Sequence, residues 1–112
     1  MPDSPRTALL QMRAQTTAEI ATLDSDLHSL FEASRASNAD DEHDPEGSTI
    51  AYERAQLTAV LDAARRHLAD IDDALRRLPA GTYGTCESCS QPIGEDRLAV
   101  RPFARTCVAC AR

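Results

Sequence analysis

The stretch IAYERAQLTAVLDAARRHLADIDDALRRL, residues 50–78, repeats mainly apolar positions at alternating intervals of four and three residues. This is the heptad spacing of a helix that buries one narrow stripe against a single partner helix. Charged side chains fill nearly half of the other positions. The stretch therefore predicts one long α-helix, and its stripe consists of Ile50, Arg54, Leu57, Leu61, Ala64, Leu68, Ile71, Leu75 and Leu78.

A second stripe of the same kind lies upstream and supplies the partner. From Thr16 onward it follows the same spacing, and its positions are Leu9, Thr16, Ile20, Leu23, Leu27 and Leu30. A short connection between two such helices makes them antiparallel. The matching register sets Leu30 against Leu57, Leu27 against Leu61, Ile20 against Leu68, and Leu9 against Leu78.

The predicted fold is therefore mainly α: a long antiparallel helical hairpin, or coiled coil, over residues 1–78 with a smaller module over 79–112. Each arm has roughly 30 residues and would be about 45 Å long at 1.5 Å per residue. The same stripes could pair between two chains as a dimerisation rod. The tight turn and the matching arm lengths favour pairing within one chain, and hence a monomer.

The run NADDEHDPEG, residues 38–47, lies where the predicted hairpin turns and carries five acids in ten residues. Asp44, Pro45 and Glu46 read as a helix start, with an N-cap, a proline at the first helical position and an acid in the first turn. A turn between helices needs only two to five residues, and five carboxylates repel one another. The run is thus either a functional tip or a solvated turn kept acidic for solubility.

The second helix should end at Leu78-Pro79-Ala80-Gly81, and the stretch CESCSQPIGEDRLAVRPFARTCVAC, residues 86–110, follows it. Its cysteines form a C-x2-C-x17-C-x2-C pattern typical of a tetrahedral zinc site. Four thiolates leave no position for water, so the pattern predicts one structural Zn²⁺ rather than a catalytic one. A reduced dithiol or an iron site is the alternative. The predicted ligands are Cys86, Cys89, Cys107 and Cys110.

Arginines within and beside this stretch allow two interpretations. Arg97, Arg101, Arg105 and Arg112 could offset the formal charge of −2 that four thiolates leave on a bound Zn²⁺. They could equally form a small basic patch that contacts a partner, with Arg97, Arg101 and Arg105 as the candidate residues.

Composition argues against several classes of function. The net charge is −6, which disfavours direct DNA binding through phosphate contacts. No apolar run approaches the roughly 18 residues of a membrane span, and the polar N-terminus lacks a secretory signal, so we expect a cytoplasmic protein. The chain has no Ser/His/Asp set and no Gly-rich phosphate loop, and its metal would be coordinatively closed. We therefore expect no enzymatic activity.

The stretch GTYGTCESCSQPIGEDRLAVRPFARTCVAC, residues 81–110, resembles the DksA/TraR family of bacterial transcription regulators. The resemblance is close here and only architectural over residues 9–78. It implies a protein that binds RNA polymerase directly, with a hairpin that enters the secondary channel and a tip that acts near the catalytic magnesium. Asp41, Asp44 and Glu46 would then be the effector residues. The alternative is a zinc-stapled interaction module that docks on another partner.

The tip departs from the Asp-x-x-Asp-x-Ala signature of well-studied family members. Alignment on Asp44 puts Gly47 and Thr49 at the other two positions, and a count back from the cysteines gives His43, Glu46 and Ser48 instead. The acidic charge of the tip is preserved in either register, while the individual residues of the signature are not.

Overall fold

The computed structural model describes residues 4–40 and 45–111, and the side chains of 4–36 and 49–111. Two long helices, α1 (Pro5–Asp40) and α2 (Pro45–Ala80), are followed by a short helix, α3 (Glu95–Val100). Within the described residues no strand forms, and the isolated bridge there joins Thr85 and Pro92. The prediction of a mainly α fold with two long helices and a C-terminal four-cysteine module is confirmed.

The chain divides into two compact units. One contains the described residues up to 15 and from 67 onward, and the other contains residues 16–66. Each unit therefore includes part of α1 and part of α2. No helix among the described residues combines the length and the apolar character needed to cross a membrane.

In the unit of residues 16–66 the helices run antiparallel. Asp24 accepts a hydrogen bond from Arg65 Nη2 at 3.2 Å, and the Arg54 guanidinium lies 4.8 Å from the centre of the Phe31 ring. A later position on α1 thus meets an earlier position on α2. Three residues of the predicted stripes are buried in this unit, namely Thr16, Leu61 and Ala64.

In the other unit a buried cluster joins the start of α1 to the end of α2. Leu9, Ile71 and Ala74 are each 0% exposed, and partly buried side chains from the cysteine module pack on them. The heptad spacing predicted Leu9 and Ile71 but not Ala74. Because the module adds a second neighbour here, α2 buries a wider face than a two-helix seam requires. The side chains from the module are Tyr83 and Phe103, and Met12 of α1 with Leu75 and Leu78 of α2 pack on the cluster beside them.

Helix α2 continues through Pro79 and ends at Ala80, two residues beyond the last stripe position. A proline inside a helix loses one N–H hydrogen bond and its ring crowds the carbonyl four residues earlier; here one residue of α2, Ala80, follows Pro79. Gly81 ends the helix because its φ is +80°, which other residues adopt at a cost. The Gly81 N–H donates to Leu78 O and the Thr82 N–H to Arg77 O, the two bonds of a Schellman cap.

Candidate metal centre

The first cysteine pair lies in a tight turn that follows Gly84. The Cys86 N–H donates to Gln91 O at 2.8 Å and the Ser90 N–H to Cys86 O at 2.9 Å, so the chain folds back on itself around Cys89. Ser90 has a φ of +65°, in the left-handed region. The turn thus brings the sulfurs of Cys86 and Cys89 to the same side of the chain.

The second pair repeats this local geometry. The N–H groups of Cys110 and Ala111 both donate to Cys107 O, at 3.1 and 2.9 Å. Each pair therefore forms one edge of the site, and the long connection between them must bring the two edges together.

The four sulfurs of Cys86, Cys89, Cys107 and Cys110 all lie within 4.8 Å of one another. The distance between Cys89 Sγ and Cys107 Sγ is 3.8 Å. A tetrahedron with Zn–S bonds of about 2.3 Å has sulfurs about 3.8 Å apart. The residues therefore fit one tetrahedrally coordinated Zn²⁺. Cys86 is buried and Cys89 is exposed.

The thiols differ in their affinity for protons. A hydrogen bond from the Cys107 backbone N–H, with others from Cys89 and Ser88, lowers the pKa of Cys86 to about 6 despite its burial. Hydrogen bonds with the thiols of Cys107, Cys86 and Cys89 raise the pKa of Cys110 to about 12. Negative charges this close repel one another, so all four sulfurs ionise together only when a cation neutralises them.

A small apolar cluster supports the site. Cys86, Ile93 and Ala104 are buried together. Leu98 of α3 and the partly buried Cys107 and Cys110 pack around them. Helix α3 was not predicted from the sequence, although its first turn carries Glu95 and Asp96, which favour a helix start. It contributes Leu98 to this cluster.

The three candidate arginines lie in different environments. Arg97 Nε donates to Thr106 O at 2.8 Å. Arg105 Nη2 donates to Asp70 Oδ1 of α2 at 2.9 Å. Arg101 is exposed, and its guanidinium lies 5.0 Å from the centre of the Phe103 ring. All three line a pocket of about 230 Å³ together with Asp70, Glu87, Phe103, Ala104 and Thr106.

The predicted tip residues cannot be described in the same way. Asp41 and Asp44 lie outside the described residues, and Glu46 belongs to the first turn of α2 but its side chain also lies outside them. Their effector role remains a prediction.

Residues 81–112 match the family model of the prokaryotic dksA/traR C4-type zinc finger. The matched segment contains all four clustered cysteines. The match and the geometry of the four sulfurs confirm the prediction of one zinc ion as the cofactor.

Curated relatives share sequence with longer parts of the chain. General stress protein 16O of Bacillus subtilis is 34% identical over 77 residues, which cover 69% of this chain and 47% of that protein. The RNA polymerase-binding transcription factor DksA of Caulobacter vibrioides is 44% identical over 52 residues, covering 46% of this chain and 37% of that protein. The chain therefore spans less than half the length of these relatives.

A solved structure matches nearly the whole chain. The transcription factor DksA2 from Pseudomonas aeruginosa superposes with a TM-score of 0.77 and 28% sequence identity. The match covers 94% of this chain and 75% of the DksA2 chain. The similarity therefore extends well beyond the cysteine module into both long helices.

Proposed function

Because this chain belongs to the DksA/TraR family through its C4-type zinc finger, we propose that it is a transcription regulator that binds RNA polymerase. The observation that carries the proposal is the four-cysteine centre that follows two long helices. Support comes from the DksA2 match over 94% of the chain and from the Caulobacter relative, which is an RNA polymerase-binding transcription factor.

The metal has a structural part in this proposal. Four sulfur ligands complete the tetrahedral shell of Zn²⁺, so no position remains at which a water or substrate could be activated. The centre holds the residues around it in place, and the chain acts by binding rather than by catalysis. We retain the division into a hairpin over 1–78 and a zinc finger over 79–112 as part of this proposal.

The mode of action follows from the family resemblance. The hairpin of a single chain enters the secondary channel of the polymerase, and its acidic tip, residues 38–47, reaches the neighbourhood of the catalytic magnesium. Carboxylates there can compete for the metal or for basic residues around it. Asp41, Asp44 and Glu46 are the proposed effectors.

Arg101 is the proposed basic contact of the zinc finger. Arg97 and Arg105 each donate to an acceptor of this chain, at Thr106 O and Asp70 Oδ1 respectively. Arg101 is exposed beside the Phe103 ring, an arrangement that leaves its outer N–H groups accessible to a carboxylate or carbonyl of a partner.

Binding to purified core RNA polymerase tests the proposal directly. We expect the zinc-loaded chain to bind the core enzyme and to be displaced by an established secondary-channel factor. Binding without displacement would move the interaction to another part of the polymerase. No binding at all would favour the alternative of a zinc-stapled module that docks on a different partner.

The tip is tested separately from binding. Asp41→Asn with Glu46→Gln should leave polymerase binding intact and remove the effect on transcription from a responsive promoter. A matched control, Asp26→Asn with Glu53→Gln, removes the same charges from exposed positions on the two helices. If both double variants regulate as the parent does, the tip is only a turn.

A further inference from the structure

Residues 102–106, here called the anchor segment, follow α3 in the chain and lead into the second cysteine pair. They also pack against helix α2. Tyr83 donates its hydroxyl hydrogen to Pro102 O at 2.8 Å, and the Phe103 ring meets His67 edge-on at 4.7 Å. Arg77 Nη1 donates to Ala104 O at 3.4 Å. Three consecutive residues of the segment therefore contact α2 or the residues that follow it.

Arg105 makes the charged contact of this segment. Its Nη2 donates to Asp70 Oδ1 at 2.9 Å, and its Nε lies 3.5 Å from Asp73 Oδ2. The two acids stand three positions apart on α2 and so share one face of the helix. The same Asp73 oxygen accepts a hydrogen bond from Arg77 Nε at 2.9 Å. The other Asp73 oxygen lies 3.5 Å from Arg76 Nη2, so Asp73 joins two arginines of α2 to the arginine of the anchor segment.

The anchor segment is also bonded to both cysteine pairs. The Glu87 N–H, next to Cys86, donates to Arg105 O at 2.9 Å, and Cys107 follows two residues after Arg105. Arg97 Nε fixes the intervening carbonyl of Thr106. A displacement of Arg105 therefore moves the backbone that brings Cys107 into the sulfur cluster.

We propose that Arg105, held by Asp70 and Asp73, acts on the zinc centre as a positioning residue and not as a counter-charge. Its guanidinium is directed at Asp70 and Asp73 of α2, at 2.9 and 3.5 Å, so it is already engaged in ion pairs away from the thiolates. What the ion pairs supply is a further directional contact for the anchor segment at Arg105, beyond the hydrogen bonds that Tyr83 and Arg77 donate to Pro102 O and Ala104 O. The inference rests on the zinc site and is independent of polymerase binding.

The two roles predict opposite effects when the acids are removed. If Arg105 acted as a counter-charge, Asp70→Asn with Asp73→Asn would release its positive charge and strengthen zinc binding. If Arg105 positions the second pair, the same variant should weaken it. We expect zinc to dissociate about tenfold faster, since loss of a partner that orients a metal ligand typically costs 10–100-fold in affinity.

The experiment measures zinc release from the full zinc-loaded chain to a chromogenic chelator. Asp72→Asn is the control, because Asp72 lies in the same helical turn but accepts its 2.7 Å bond from Arg13 of α1. Arg105→Gln and Arg13→Gln form a second matched pair with similarly exposed side chains, 40% and 45%. Of these two variants, we expect Arg105→Gln to release zinc faster than the parent and Arg13→Gln to release it at the parent's rate.

Hydrogen exchange of the zinc-loaded proteins is the second measurement. It reports the order of the anchor segment separately from the rest of the protein, so it remains informative if a variant folds poorly. The Asp70/Asp73 double variant should lose protection of residues 103–107, whereas Asp73→Glu, which retains the charge, and the Asp72→Asn control should keep it. The proposal would be overturned if the Asp70/Asp73 double variant released zinc no faster than the Asp72→Asn control. Equal protection of the anchor segment in all variants would overturn it as well.

Discussion

The Tyr83 hydroxyl donates to Pro102 O over 2.8 Å, which joins the residue just after the α2 cap to the loop that leads into the second cysteine pair. Burial raises the pKa of Tyr83 above 10, and the nearby Arg77 charge opposes this only in part. The folded protein therefore prefers the neutral phenol, which is the form that can donate this hydrogen bond.

Tyr83→Phe should lower the free energy of unfolding by about 1 kcal/mol at neutral pH, the net value of a typical hydrogen bond. Because the folded pKa is the higher one, the contribution of Tyr83 is complete below pH 10 and is lost as the pH rises through the folded pKa. The variant should lose less stability than the parent over that alkaline range. Urea unfolding at several pH values measures both effects. Tyr52→Phe, at a residue 65% exposed, is the control and should change little.

Ser90→Gly should stabilise the zinc finger by about 0.5–1 kcal/mol. Ser90 adopts a φ of +65°, which strains a residue with a Cβ and is free of that strain for glycine. Ser88→Gly is the matched control: the substitution is the same but relieves no positive φ, so it should be neutral or destabilising. Thermal unfolding of the zinc-loaded proteins distinguishes the two. Equal melting temperatures for both variants would contradict the assignment of strain to Ser90.

Removal of zinc should disorder the C-terminal module while much of the helicity of the long helices remains. Structural zinc supplies roughly 10–16 kcal/mol in finger peptides, and the buried cluster around Cys86, Ile93 and Ala104 is small. A chelator or Cys107→Ser should therefore abolish exchange protection in residues 81–111 and reduce the far-ultraviolet circular dichroism only modestly. Full tertiary order in a metal-free sample would contradict the structural role of zinc.

Zinc binding should release protons and strengthen as the pH rises. Cys86, with a pKa of about 6, is already a thiolate at neutral pH, whereas Cys110, with a pKa of about 12, still carries its proton. The metal must displace that proton, and below pH 6 it must displace the proton of Cys86 too. Titration of the metal-free protein with zinc in dilute buffer, followed with a pH indicator, measures the release. Binding without proton release would contradict these pKa directions.

Leu61→Ala should destabilise the unit of residues 16–66 by about 2–5 kcal/mol, because a buried leucine loses its packing and leaves a cavity. Leu61 is 2% exposed, while its neighbour Val60 is 48% exposed. Val60→Ala is therefore the control and should cost far less. Denaturant unfolding followed by circular dichroism measures both.

The two long helices should pair within one chain. Sedimentation of the parent at several concentrations should therefore give a monomer, and helicity lost on dilution would instead indicate helices paired between chains.

The sequence alone was sufficient for the features that depend on short-range spacing. Two C-x2-C pairs identified the four sulfurs, because a tetrahedral ion constrains each pair locally wherever the connection runs. The heptad intervals identified Leu9, Leu61 and Ile71 as buried, since a helical period assigns each residue to a face. Pro45 marked the start of α2, because a proline at the first helical position loses no hydrogen bond within the helix.

The tertiary structure decided the features that depend on neighbours distant in the chain. Ala74, outside the heptad stripe, is fully buried in a cluster with Leu9 and Ile71 on which Tyr83 and Phe103 of the cysteine module also pack. Arg105 could be assigned neither to the metal nor to a partner from its position in the sequence. Its acceptor on Asp70 is 35 positions away, and a hydrogen bond depends on where two atoms lie in space rather than on their spacing in the chain.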